Sequence, residues 1–219
     1  MSSYTIPTVV ESTSRGERVS DIYSRLLSER IVFVGTPIDD GVANVIVAQI
    51  LHLASESSTA DINLYINSPG GSFSAMMAVY DTMQFVTPDV ATLCVGQATA
   101  TSAIVLAAGA NGKRALLPHA RVLLHQPHTE GSRGSISDLA LEAAELARVR
   151  ADGERLLARH TGRDVDEIQA ATDRALVLPG QAAVDYGIAD HVLERADSGR
   201  EQGRAAPLRP GSEASSRSL

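Results

Sequence analysis

Short, β-branched apolar runs alternate with longer stretches of helical spacing along this chain, and that alternation admits few folds. Ile31-Val-Phe-Val-Gly35 is too short for a buried helix and reads as a buried strand. Asp61-Ile-Asn-Leu-Tyr-Ile-Asn67, Val90 to Gly96 and Arg121-Val-Leu-Leu-His125 read the same way. Between them, Val42 to about Ser55 carries Val45, Val47, Ile50 and Leu51 at helical spacing. Further helices are expected near 73–85, 98–108, 135–160 and 165–174. Strands separated by helices require crossover connections, so the expected class is α/β with a mainly parallel sheet.

The 219 residues suit one domain with a substantial core. Residues 1–17 are polar and irregular and are expected to form a flexible N-terminal arm. The domain then spans 18–194. From Arg195 to 219 the chain is rich in Arg, Ser, Gly, Glu and Pro, which predicts a disordered tail. A formal net charge of -7, 4% aromatics and no Trp argue against nucleic acid or an anionic membrane as partner. The single cysteine, Cys94, sits in an apolar strand and is expected to be a packed, inert thiol. No secretory signal or membrane-spanning run is visible, so a cytoplasmic protein is expected.

Three stretches carry chemistry. Ser68-Pro-Gly-Gly-Ser72 joins a strand to a helix, where glycines let backbone approach a ligand closely, although Pro-Gly-Gly is also an ordinary turn. Cys94-Val-Gly-Gln-Ala-Thr-Ala-Thr-Ser-Ala103 is a small-residue strand-to-helix junction, a place where a nucleophile is favoured. His125-Gln-Pro ends an apolar strand, and a histidine there is either structural or a base.

Together these segments resemble the proteolytic subunit of the ATP-dependent Clp protease, the ClpP family of serine peptidases. The resemblance runs from about Thr8 to Leu193. It is carried by Thr13-Ser-Arg-Gly-Glu17, Asp21-Ile-Tyr-Ser-Arg-Leu-Leu27, Tyr65-Ile-Asn-Ser-Pro-Gly-Gly71, Tyr80-Asp-Thr-Met-Gln-Phe85, Gly96-Gln-Ala98, Leu124-His-Gln-Pro127 and Asp185-Tyr-Gly187. It implies a crotonase-like fold with spiral repeats and a protruding handle helix over about 131–160, and it implies neither cofactor nor metal.

The family's serine lies in Gly-Gln-Ala-Ala-Ser, and the matching stretch here is Gly96-Gln-Ala-Thr-Ala100. The family's histidine matches His125. Its acid matches Ala175, counted back from Asp185-Tyr-Gly187. In such a triad serine attacks, histidine takes its proton and the acid fixes the imidazole. Alanine at 100 and at 175 removes two of the three parts, so the resemblance implies a catalytically degenerate member, a pseudoprotease. Gly71 and Thr101 match the backbone amides of the oxyanion hole, which side-chain changes leave intact. A peptide is therefore still expected in the groove.

The family stacks heptameric rings. Asp173 and Arg174 match an acid–arginine pair that joins them. Leu51, His52, Asn63, Tyr65 and Phe85 match the apolar cleft where a Clp ATPase unfoldase docks. His52 and Asn63 stand where relatives usually carry aromatics, which implies weaker docking. The expected partners are thus copies of this chain or active paralogues, with an unfoldase. The alternative is an active serine endopeptidase using a displaced hydroxyl, Ser102 or Thr101. Another crotonase-fold chemistry, such as acyl-CoA hydration, fits poorly with the Tyr-Ser-Arg-Leu-Leu and His-Gln-Pro segments.

Overall fold

The computed structural model describes residues 5–13, 16–126 and 134–194. The expected tail, Pro127 and Gly131 at the start of the expected handle lie outside these residues. Thr8–Thr13 (β1) and Gly16–Asp21 (β2) pair antiparallel, so the stretch read as an irregular arm contributes a strand pair. The sequence shows no polar–apolar alternation in this stretch, so the ribbon is made by the pairing of the two segments and not by a local pattern. Asp21 then caps α1 (Ile22–Ser28) by accepting from the amides of Tyr23 and Ser24.

β3 (Ile31–Val34), β4 (Ile62–Ser68) and β5 (Val90–Thr99) run parallel, linked by α2 (Asp40–Glu56) and α3 (Phe73–Phe85). Each strand alternates buried and half-buried positions, because the helices cover only one face of the sheet. α2 buries Ala43, Ile46, Ile50 and Leu53. Val45 and Leu51, expected on its apolar stripe, are exposed instead, because the 3.6-residue repeat turns both away from the sheet.

β5 is where the sheet divides. Its first half pairs with β6 (Arg114–Leu116) and its last three residues pair with β7 (Arg121–Leu124). The β4–β5 register shifts between Ile66 and Ser68, where the Asn67 side chain accepts from the Gln97 amide. That shift carries β5 past Gly96 toward the site. Beyond it lie α4 (Thr101–Ala107), the long α5 (Ile136–Thr161), α6 (Val165–Thr172), β8 (Leu176–Pro179), α7 (Gln181–Tyr186) and β9 (His191–Val192). β8 joins β7 antiparallel and β9 joins β6 parallel, so the sheet is mainly parallel, as its alternating pattern requires. No helix among the described residues is long and apolar enough to cross a membrane.

α5 begins on a reciprocal cap between Ser135 and Asp138 and ends at Gly162 in the left-handed region. Near its end, His160 Nε2 lies 2.9 Å from the Tyr80 hydroxyl. Burial, helped by the cations Arg159 and Arg114, lowers the His160 pKa to about 4. The unfolded histidine takes its proton nearer 6.5, so this contribution to stability is complete above pH 6.5 and is lost as pH falls toward 4. With the ring only half buried and solvent screening it, the loss amounts to about 1 kcal/mol. Unfolding free energies from urea titrations at pH 7 and pH 4.5 should separate by about that much more in the native chain than in His160→Gln; equal separations would refute this assignment.

Candidate active site

In open parallel sheets, ligands bind beyond the carboxyl ends of the strands. Here three such ends converge: Ser68-Pro-Gly-Gly after β4, Ala100 after β5 and His125 after β7. Gly71 has φ 155°, and a Cβ there would meet the Ile38 carbonyl oxygen at 2.1 Å, so only glycine fits. Amides on either side of this turn are used: Ile38 donates to Gly70 O, and Ser72 donates to Ile38 O, both at 2.8 Å. The N–H groups of Gly71 and Thr101 have no acceptor among the described residues, and both residues line the same groove.

Ala100 stands between β5 and α4 with φ 51° and ψ −114°. Arg30 is the only other non-glycine residue of positive φ among those described. The same turn recurs before α7, with φ 42° and ψ −114°, and there the residue is Gly180. A side-chain-bearing residue in such a conformation costs on the order of 1–3 kcal/mol. The turn is held by Ala100 N–H donating to Leu123 O at 2.8 Å and Ala103 N–H donating to Ala100 O at 3.1 Å. The backbone thus makes a sharp strand-to-helix elbow of the kind that can present a side chain to a groove, and here that side chain is a methyl group. Ala100→Gly should relieve the strain and raise stability by about 1 kcal/mol, net of the entropy glycine adds to the unfolded chain. A loss of stability in chemical denaturation would show that the turn is relaxed.

His125 follows β7, and its Nδ1 lies 2.8 Å from the Gln126 carbonyl oxygen. A carbonyl only accepts, so in this contact Nδ1 is the donor. The Gln126 side chain is itself pinned, donating to Asp173 Oδ1 at 3.1 Å. From sequence, His125 was expected to lack an orienting acid; the carbonyl of its neighbour contacts the ring instead. β7 and β8 pair with Leu124 opposite Leu176. One step further along that register sets Ala175 opposite His125, the place from which a carboxylate could reach the imidazole. Alanine offers nothing to it.

The groove has a volume of about 470 Å³ and brings together Gly71, Ala100, Thr101 and His125. Its walls are largely apolar, from Phe73, Ile104, Leu124, Leu146, Val149 and Leu157. Ser102, proposed above as a displaced nucleophile, does not reach it. That residue is fully buried, its hydroxyl accepts from the Thr99 amide at 2.7 Å, and its proton faces the carbonyls of Ser68 and Thr99, each at 2.9 Å. It stitches β5 to β4 and is corrected here to a structural residue. Thr101 lines the groove, and its hydroxyl donates to Gly71 O at 3.4 Å. Cys94 is fully buried, and burial pushes its thiol up to about 11, as expected of an inert thiol.

The other expected residues lie elsewhere. Asn63 and Tyr65 occupy the sheet face away from the helices, beside Ile31 and Phe33 of β3. Leu51 and His52 lie exposed on α2, where His52 Nε2 is 3.5 Å from Glu56. Phe85, at the end of α3, is 82% exposed. Asp173 and Arg174 are exposed between α6 and β8. Sequence reasoning passed over Gln126 and the α5 residues Arg150, Gly153 and Glu154, all of which line the groove. The spacing 146, 149, 150, 153, 157 is an α-helical stripe, and a glycine inside an Ala- and Leu-rich helix is the signal that marks it.

The family model for Clp protease matches residues 14–196. The chain is 58% identical to the ATP-dependent Clp protease proteolytic subunit 4 of Rhodococcus jostii, over 88% of this chain and 99% of that protein. It is 56% identical to the ATP-dependent Clp protease proteolytic subunit 2 of Streptomyces avermitilis, over 89% and 98% respectively. Subunit 1 of Nocardia farcinica is also 56% identical, over 88% and 98%. A match along most of the chain, over a range that spans the elbow, glycine turn and histidine just described, leaves one conclusion: the chain belongs to the Clp protease family.

Proposed function

We propose that this chain is a non-catalytic subunit of a Clp-type protease, which binds peptide in its groove without cutting it. The observation that carries the reading is the elbow at Ala100: a strained backbone built to present a nucleophile ends in a methyl group. Gly71 and Thr101 keep two amides available to a carbonyl oxygen and His125 lines the same groove, while position 100 carries no hydroxyl.

The subunit works in a cytoplasmic barrel of stacked rings, made of its own copies or mixed with active paralogues, and alters their proteolysis or inhibitor response. Asp173 and Arg174 serve ring contacts, and the surface bearing Leu51, His52, Asn63, Tyr65 and Phe85 meets the unfoldase weakly. Exposure of Phe85 and Leu51 supports that part of the reading, since an aliphatic or aromatic anchor left in solvent suits a docking surface. The test is recovery of the native assembly by pull-down, followed by labelling with a fluorophosphonate probe. Paralogous subunits or an unfoldase should co-purify and this chain should stay unlabelled; stoichiometric labelling of it would make it a working peptidase acting through Thr101.

A further inference from the structure

The groove is not apolar throughout. At the end lined by α5, Arg150 Nε donates to Glu154 Oε1 at 2.7 Å, and Glu154 is only 7% exposed. Both residues line the groove that also holds Ala100 and His125. A buried carboxylate is tolerable only when paired, which explains why the arginine is there but not why a charge pair faces an otherwise apolar groove.

The pairing is incomplete. It uses one guanidinium N–H and one carboxylate oxygen. The two Nη groups of Arg150 and Oε2 of Glu154 have no partner among the described residues. The floor of the groove therefore presents donors and an acceptor side by side, on a pair whose charges cancel. Next to it, Gly153 lies within the unbroken α5, and a Cβ there would meet only Ile104 Cδ1 and Phe73 Cε2, at 3.5 and 3.6 Å. The missing side chain leaves room for a guest side chain at that end.

We infer that Arg150 and Glu154 make this end of the groove a recognition subsite for a carboxamide side chain, glutamine or asparagine, of a bound peptide. The inference rests on reading the groove as a peptide site. A carboxamide oxygen accepts from the Arg150 Nη groups while its NH₂ donates to Glu154 Oε2, so both unmet groups are satisfied without adding charge. Leucine of similar length would strip water from the pair and return no hydrogen bond. Glutamate would set a second carboxylate beside Glu154.

The experiment measures binding of three fluorescein-labelled alanine-rich pentapeptides, with Gln, Glu or Leu at the central position, to the assembled protein by fluorescence anisotropy. The Gln peptide should bind about tenfold more tightly than the other two. In the paired replacement R150M/E154L, which removes both charges and so leaves neither one buried alone, the Leu peptide should become the tightest. A native-state preference for Leu or Glu, an unchanged ranking in the paired variant, or failure of all three peptides to bind would each overturn the inference. Cleavage of the peptides would overturn the non-catalytic reading alone, because the ranking is read independently of turnover.

Discussion

Replacing Ala100 by Ser and Ala175 by Asp together should turn the chain into a peptidase, whereas neither change alone should do so fully. Ala100→Ser places a hydroxyl on an elbow that already has the required backbone. The His125 ring is already held, because Nδ1 donates to the Gln126 carbonyl. The single variant should therefore react slowly with a fluorophosphonate probe. A carbonyl orients the imidazole but cannot stabilise its cation as a carboxylate does. Loss of the acid in a working triad lowers turnover by about 10⁴, part of it through the wrong tautomer. With the ring already held, adding Asp at 175 should raise the rate of the single variant by on the order of 10² to 10³. Ala175→Asp alone should stay silent, having no nucleophile. Hydrolysis of a fluorogenic peptide by the purified assembly reads all four states. An inactive double variant that still assembles would show that the site has drifted beyond the triad positions.

The largest loss of stability should come from Arg114. Only 7% exposed, this residue joins four elements. Its guanidinium is forked onto Asp190, with Nη2–Oδ1 at 2.6 Å and Nε–Oδ2 at 3.1 Å. The remaining donor, Nη1, reaches the carbonyls of Ala107 and His160, which close α4 and α5. Asp190 N–H returns a bond to Arg114 O at 2.7 Å, joining β6 to the approach to β9. Burial by itself pushes the Asp190 carboxyl up, but the hydrogen bonds from Arg114 outweigh it and hold it below its ordinary value. A lowered pKa means that this stability is present above the unfolded value near 4 and is lost as pH falls below it.

Arg114→Met leaves the Asp190 carboxylate without its partner and two helix-end carbonyls without donors. The expected loss is about 3–5 kcal/mol, a large share of the stability of an ordinary domain. Arg114→Met combined with Asp190→Leu removes both charges and should lose clearly less. Urea unfolding at pH 7 measures both variants. A single-variant loss below about 1 kcal/mol would mean that the pair is already solvated.

Much of the site was legible because its parts are local. A strand ending in Pro-Gly-Gly, a small-residue junction and a strand ending in histidine each stand out within a few residues. The helix from Phe73 to Phe85 was expected with its true ends, because Ser72 caps it and its apolar residues recur at helical spacing. Less was visible where tertiary pairing overrides local preference. β5 was expected to end at Gly96 and α4 to begin at Ala98; instead β5 runs to Thr99, because β7 gives its last residues a partner. β6, β8 and β9 are two to four residues long and have no signal of their own; pairing alone makes them strands.

The alanines at 100 and 175 are facts of sequence, and so is the parallel class of the sheet, since side-chain identity and the order of apolar runs need no coordinates. Sequence alone left Ser102 open as a nucleophile, left His125 without an orienting acid and read α5 as a handle without a groove-facing stripe. Those questions turned on which groups meet across long separations. Ser102 is satisfied by Ser68, 34 residues away, and Gln126 by Asp173, 47 residues away. Arg150 and Glu154 line the same groove as Ala100, some 50 residues earlier in the chain. A hydroxyl, an imidazole or an ion pair carries its chemistry in the residue, but its role depends on what surrounds it, and only the folded chain brings those surroundings together.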